Sequence, residues 1–151
     1  MRQLRVVTVF LIMSVSLFAA ESPFSGTWKL NLAKSKVTPP VPKSDIVVID
    51  ADENSLKFNE DLINNKGEPL KISYEAKFDG SDYPVTGDPS SDSISYQRVN
   101  ANTLKGKVKK SGKIVSDATV VVSKDGKITT VNYTDYSQPK PAKGTAVYDK
   151  Q

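Results

Sequence analysis

The 151-residue sequence contains no cysteine and no histidine. Without them the chain cannot form disulfides, Ser-His or Cys-His nucleophilic arrangements, or the commonest transition-metal sites. Its eight glycines all stand singly, which excludes a Gly-rich phosphate cradle. We therefore expect no enzyme, no catalytic residues, no metal and no cofactor, and a fold that is stable through its core alone.

The sequence has only one long apolar run, residues 6–18. This run follows the basic residues Arg2 and Arg5 and precedes small residues, the order of a secretory signal peptide. It is shorter than the roughly 18 to 20 residues that a membrane-spanning helix needs. We predict a signal peptide at residues 1–20, a single domain at residues 21–151, a periplasmic or secreted location and no stable membrane insertion.

Charge of one sign is not concentrated anywhere after the predicted signal. Removing Arg2 and Arg5 from the 21 basic residues leaves 19 against 17 acidic ones, a net charge of +2. One group of lysines is predicted to form the solvated face of a hairpin, with contact to an anionic surface as the alternative. Its members are Lys105, Lys107, Lys109, Lys110 and Lys113. Nucleic-acid binding is not indicated.

Apolar and polar residues alternate along most of the remaining chain, as in half-buried strands. In the first run Trp28, Leu30 and Leu32 share one face. The longest alternating run has four apolar residues on one face, namely Ile72, Tyr74, Ala76 and Phe78. Further β-rich runs cover residues 46–49, 56–58, 93–99, 103–109, 114–123, 128–136 and 144–148. No sustained helical stripe occurs, so about eight to ten short strands are predicted.

Turn signals containing glycine separate the runs, and short turns join neighbouring antiparallel strands. They are Asn65-Lys66-Gly67, Asp79-Gly80, Ser111-Gly112 and Asp125-Gly126. A meander of this length leaves two exposed edges unless it closes, which favours an all-β, single-domain antiparallel meander β-barrel over a sandwich. Two longer proline-bearing links, residues 33–43 and 81–92, are predicted to be either lids across the barrel mouths or ordinary surface loops.

The start of the domain resembles the opening strand of the calycin group, which includes the lipocalins and the fatty-acid-binding proteins. The pattern F-x-G-x-W-K-L is formed by Phe24, Gly26, Trp28, Lys29 and Leu30. Most of residues 21–151 is similar to secreted bacterial lipocalin-like proteins, through K-F-D-G at 77–80, Y-P-V-T-G-D-P at 83–89, V-K-K-S-G-K at 108–113 and S-K-D-G-K at 123–127. The resemblance implies a lipocalin-like barrel, export, and a tryptophan that plugs one end of the barrel.

The sequence departs from these relatives where a fatty acid would be held. Residues 33–43 are too short and too rich in proline for the helix pair of fatty-acid-binding proteins. No arginine follows Arg98, so their Arg-x-Tyr carboxylate clamp cannot be carried over. Lipocalins commonly stack a late basic residue on the first-strand tryptophan, and Lys143 and Lys150 are available for that role.

Arg98 is the one arginine of residues 21–151, and by alternation it shares a face with Ile94 and Tyr96. If that face is inward, the guanidinium must meet a carboxylate, a ring or an anionic ligand. Alternatively it lies at a strand end, pointing out or stacked on Trp28 as a plug. We predict as candidate ligand contacts Trp28, Tyr74, Tyr96 and Arg98.

Other polar residues give weaker signals. Tyr133 and Tyr148 are expected to be core, rim or cavity residues, and Ser116 and Thr130 interrupt apolar faces as if the interior were not fully filled. Close acidic pairs are expected to be solvated turns, with a catalytic pair or a calcium site as the alternative. These pairs are Asp50 with Asp52, Glu60 with Asp61, and Asp79 with Asp82.

The function predicted from these features is the binding of a small apolar molecule inside an exported barrel. The alternative is a filled-core module that binds a protein or an envelope component through its loops. The internal volume of the barrel discriminates between the two, because ligand carriage needs several hundred Å³.

Overall fold

The computed structural model describes residues 21–151, so the predicted signal peptide lies outside the described part of the chain. Ten antiparallel strands form one sheet in the order β4-β3-β2-β1-β10-β9-β8-β7-β6-β5. The strands are β1 Gly26–Leu30, β2 Ser44–Ala51, β3 Ser55–Ile63, β4 Pro69–Lys77, β5 Tyr83–Pro84, β6 Ser93–Asn100, β7 Thr103–Lys110, β8 Lys113–Val122, β9 Ile128–Asp135 and β10 Ala142–Lys150. The sheet curls into a nearly closed barrel, which confirms the predicted all-β antiparallel meander.

Two unlike contacts close the barrel. The first and last strands pair directly, with Trp28 opposite Lys150. On the far side, the chain after β5 fills the seam between β4 and β6, and Thr86 and Ser73 exchange two backbone hydrogen bonds of 2.9 Å. Gly87 makes this approach possible, because it has a φ of +87° and a side chain there would collide with the carbonyl oxygen of Lys71.

One end of the barrel is closed by buried aromatic residues. Because the strands alternate in direction, the β2–β3, β6–β7 and β8–β9 turns lie together at this closed end. Phe24, Trp28 and Leu104 are among the most buried side chains of residues 21–151. The Trp28 indole Nε1 donates a hydrogen bond of 2.9 Å to the Phe24 carbonyl oxygen, which satisfies its polar atom without water. Trp28 therefore plugs the barrel.

The first strand ends earlier than the alternation predicts. β1 ends at Leu30, and residues Leu32–Lys34 form a single 3-10 turn, where Leu32 is 43% exposed rather than inward. The Asn31 side chain accepts a hydrogen bond from the backbone N–H of Lys34 and so favours the turn over a longer strand. Among residues 21–151 no helix is long and apolar enough to cross a membrane.

The lysine group lies on the outside of β7 and the following hairpin. Lys105 and Lys107 are exposed, whereas Leu104 on the opposite face is buried. Lys109 pairs with Asp82 at 2.6 Å. Lys105 and Lys107 thus lie on the predicted solvated face, whereas Lys109 and Lys110 are half-buried.

Candidate functional site

The barrel encloses a cavity of about 420 Å³. Apolar residues from several strands form most of its wall, including Val47, Leu56, Ile94, Val108 and Val120. Small residues leave the space unfilled, since Gly106 on β7 pairs with Ala118 on β8 and both line the cavity. A methyl group on Gly106 would lie 2.9 Å from the Tyr96 ring, so this glycine also makes room for the aromatic side chain.

Three of the four predicted contact residues line this cavity, namely Trp28, Tyr74 and Tyr96. The Tyr74 ring stacks on Phe58 with centroids 4.5 Å apart and an interplanar angle of 11°. The hydroxyl oxygens of Tyr74 and Tyr96 are 2.7 Å apart and share a hydrogen bond. Burial raises the pKa of Tyr96 to about 12 and that of Tyr74 well above its usual value, so both hydroxyls stay neutral.

Arg98, the fourth predicted contact, lies at the closed end and not in the cavity lining. Its guanidinium carbon is 4.7 Å from the centroid of the Phe78 ring and 5.8 Å from that of Phe24. Its terminal nitrogens donate to backbone carbonyls at 3.3 to 3.5 Å, those of Asp52, Asn100 and Ala101. The side chain thus connects two turns to the buried aromatic residues. This agrees with the prediction that Arg98 helps to plug the barrel, except that it stacks on Phe78 and Phe24 and not on Trp28.

The tryptophan does carry a late basic residue, as in the lipocalins. The ammonium nitrogen of Lys150 lies 5.4 Å from the centroid of the Trp28 rings. Lys150 also packs where a side chain on Gly26 would lie, so the glycine of the G-x-W pattern leaves room for this contact. Lys143, the other candidate, has no such contact among the described residues.

Two carboxylic acids inside the barrel form the part of the site that the sequence analysis missed. Glu60 lines the cavity from the middle of β3, and Asp45 at the start of β2 is 4% exposed. Val47 on β2 lies directly opposite Glu60 on β3. Asp45 precedes Val47 by two residues, so it is the diagonal neighbour of Glu60 on the same face of the sheet. The two carboxyl groups lie within hydrogen-bonding reach of each other. The expectation that Glu60 lies in a solvated turn was wrong.

The shared environment of the pair keeps one proton on it. Burial and the neighbouring Asp45 carboxyl raise the pKa of Glu60 to about 9. Burial also raises the pKa of Asp45, against the lowering effect of its hydrogen bonds to Tyr148 and Glu60. Two carboxylates at such short range cannot both ionise cheaply. At neutral pH, which lies below this pKa, Glu60 therefore keeps its proton.

Further hydroxyls surround the pair and the cavity wall. The Tyr148 hydroxyl donates a 2.6 Å hydrogen bond to Oδ2 of Asp45. Tyr133 lines the cavity and holds the first proline-bearing link through its hydroxyl, which lies 3.0 Å from the Thr38 backbone nitrogen. Ser116 lines the cavity, as predicted. Thr130, which was predicted together with it, does not line the cavity, and the neighbouring Thr129 does.

The second proline-bearing link, residues 81–92, forms part of the cavity wall. It is therefore neither a lid across the barrel mouth nor an ordinary surface loop. Its residues Val85, Asp88 and Ser91 line the cavity. The Asp88 carboxylate accepts hydrogen bonds from the Ser90 backbone N–H at 2.8 Å and from the Ser91 hydroxyl at 2.5 Å. The link is thereby folded onto itself and completes the seam between β4 and β6.

One member of each remaining acidic pair serves a turn as predicted, whereas Asp50 lies in β2 and Asp82 pairs with Lys109. Asp52 accepts hydrogen bonds of 2.7 Å from the backbone N–H groups of Asn54 and Ser55, which lower its pKa. Asp79 accepts from the Ser81 backbone N–H and the Tyr83 hydroxyl, with the same effect on its pKa. No group of three or more acidic residues suited to a metal ion occurs within residues 21–151.

The site as a whole is an apolar cavity with tyrosine hydroxyls and Glu60 in its wall and the buried Asp45 carboxyl group beside Glu60. A scan against protein-family models and a search of curated proteins both find no match to this chain.

Proposed function

We propose that this protein is exported and carries a small, largely apolar molecule inside its barrel, in the periplasm or outside the cell. The observation that carries the proposal is the cavity of about 420 Å³, which combines an apolar wall with a few polar groups. Binding sites for small molecules have this composition and volumes of about 300 to 1,000 Å³.

The energetics of such a cavity are adequate for reversible binding. An eight-carbon chain transferred from water into an apolar wall gains about 6 kcal/mol, at about 0.8 kcal/mol for each methylene. Association costs at least about 4 kcal/mol of translational and rotational freedom. The polar contacts therefore decide both the final affinity and which molecule is held.

The cavity favours ligand carriage over the alternative of a filled-core module that binds partners through its loops. A filled core would place larger side chains at positions such as Ala118 and Ser116, which line the cavity. A cavity lowers the free energy of unfolding, because the atoms around it lose packing contacts. Ligand binding is a function that accounts for a cavity in spite of this loss.

Fluorescence titration with the uncharged, polarity-sensitive dye prodan tests ligand binding. The variant Ala118→Phe adds a ring inside the cavity, and Thr119→Phe adds the same ring to the neighbouring position of β8, which points to the other face. We expect a blue-shifted, saturable signal with the wild type and Thr119→Phe, reduced by at least about tenfold in affinity in Ala118→Phe. Absence of saturable binding by the wild type, or equal binding by both variants, would overturn the proposal.

Export has its own test. Cell fractionation with mass spectrometry of the recovered protein is expected to find it in the periplasm or the medium, shortened by about 20 residues. Recovery of the full-length chain from the cytoplasm would contradict export while leaving the ligand test unaffected.

A further inference from the structure

The ionisable groups of the cavity wall are all acids. Glu60 and Asp88 line it with the tyrosines, and Asp45 lies directly beside Glu60. No lysine or arginine lines the cavity within the described chain, since Arg98 and Lys150 are both engaged at the closed end. A bound carboxylate would find no positive partner here and would lie near two or three acids.

Beside Glu60, the Asp45 carboxyl group has a buried acceptor that no donor of the described chain reaches. Its Oδ1 atom accepts no hydrogen bond from any hydroxyl or amide of residues 21–151. Tyr148 gives its single proton to Oδ2 of the same carboxyl group. The Thr129 hydroxyl, 7% exposed in the cavity wall, also has no partner in the described chain. Buried polar atoms left in this state cost free energy that a ligand can recover.

We propose that the cavity selects a protonated amine attached to an apolar body, held at Asp45 and Glu60, and rejects fatty acids; this inference rests on the proposed carrier function. An ammonium group offers three donors and no acceptor, which matches the oxygens of the carboxyl pair. Its positive charge meets only acidic groups in the cavity lining, because no lysine or arginine of residues 21–151 is part of it. The apolar body lies against the aliphatic and aromatic wall.

The other ionisable groups near the pair are three tyrosines and one acid. They are Tyr148 from β10, Tyr74 from β4, Tyr96 from β6 and Asp88 from the link after β5. Burial raises the pKa of all three tyrosines above the usual value, so these hydroxyls stay neutral when an amine binds. The Asp88 carboxylate adds further negative charge near Glu60 and favours a cation as well.

The test is displacement of prodan from the purified protein at neutral pH by three probes with the same apolar chain, namely octylamine, octanol and octanoate. Octylamine is protonated under these conditions, because alkyl ammonium groups like that of lysine have a pKa of about 10. We expect octylamine to bind at least about tenfold more tightly than octanol, and octanoate to bind more weakly than either. Equal binding of octylamine and octanoate would overturn the inference.

Substitutions locate the selectivity at the carboxyl pair. Glu60→Gln and Asp45→Asn each remove an ionisable group with little change of shape, and Glu75→Gln is the control on the outer face of β4, where that side chain is 73% exposed. We expect the preference for octylamine over octanol to fall below about threefold in the double variant that carries both substitutions, which leaves no carboxyl group at this position, and to persist in Glu75→Gln. Preference retained in the double variant would place the amine elsewhere and contradict the inference.

The two proposals fail in different ways. If neither prodan nor octanol binds the wild type, the carrier function itself is refuted. If both bind and octylamine has no advantage over octanoate, the carrier function stands and only the preference for amines is refuted.

Discussion

The hydroxyl group of Tyr148 donates a 2.6 Å hydrogen bond to Oδ2 of Asp45. Tyr148 belongs to β10 and Asp45 to β2, and these strands flank β1. The bond therefore spans the junction between the first and the last strand of the chain, and it does so inside the barrel. It also supplies one of the few donors to the buried carboxyl pair.

Tyr148→Phe is expected to destabilise the protein by about 1 to 3 kcal/mol, because the buried Asp45 carboxyl loses a donor that the remaining wall cannot replace. Tyr136→Phe is the matched control, since the Tyr136 hydroxyl makes a similar 2.7 Å bond to Asp117 at an exposed position. Urea unfolding followed by circular dichroism measures both. A loss no larger for Tyr148→Phe than for the control would show that the interior bond contributes little.

The carboxyl pair should make stability depend on pH. Folded Glu60, with its pKa near 9, keeps a proton that the unfolded chain releases above the ordinary value of 4.5. Between these two values the unfolded state binds fewer protons, so the free energy of unfolding falls as pH rises, by at most about 1.4 kcal/mol per pH unit for one proton. The sequence has no histidine, so few other groups titrate there.

Urea midpoints at intervals from about pH 5 to about pH 9 measure this effect. The wild type and Glu75→Gln should lose stability steadily across the range, and Glu60→Gln should show a flatter profile. A wild-type profile that is flat or rises with pH would contradict the protonation of the pair.

The seam between β4 and the link after β5 should be sensitive to one methyl group. Gly87→Ala would place a Cβ against the Lys71 carbonyl in addition to the strain of a φ of +87°. Gly80 has a similar φ of +81° and open space around it, so Gly80→Ala shows the cost of strain alone, about 1 to 2 kcal/mol. We expect Gly87→Ala to cost more and to speed amide hydrogen exchange at Ser73 and Thr86. Equal costs and unchanged exchange would mean that the seam does not depend on this close approach.

Arg98→Met should weaken the closed end. The substitution keeps an apolar stem but removes the cation over Phe78 and the bonds to three carbonyl groups, for a loss of about 1 to 3 kcal/mol. Thermal unfolding measures the change, and Arg98→Lys separates charge from the planar donor fork. Stability unchanged in Arg98→Met would exclude the plug role described above.

Much of the fold follows from alternation along single strands. The face shared by Trp28, Tyr74 and Tyr96 with their apolar neighbours was predictable, because each lies in a run with clear contrast between successive residues. The seam was not, because β5 has only two residues, and the bonds to β4 come from Thr86 in the link after β5, whose position depends on the three-dimensional course of that link. A strand of two residues is too short to show the alternation of apolar and polar residues from which strands are predicted.

The carboxyl pair was within reach of the same pattern. Glu60 continues the face of Leu56 and Phe58, but its acidic neighbour Asp61 suggests a turn. Asp45 continues the face of Val47, but it lies just outside the β-rich run of residues 46–49. Thr129 was missed for a different reason. Two consecutive threonines give no contrast between faces, so only the ladder with β10 identifies the inward one.

The central claim is that the barrel holds an accessible apolar cavity, and a crystal structure of the protein soaked with bromonaphthalene tests it most directly. The account predicts an anomalous bromine peak inside the barrel, among Trp28, Tyr74 and Tyr96, at an occupancy that the Ala118→Phe variant loses. An interior filled by side chains, or bromine found only on the outer surface, would contradict it.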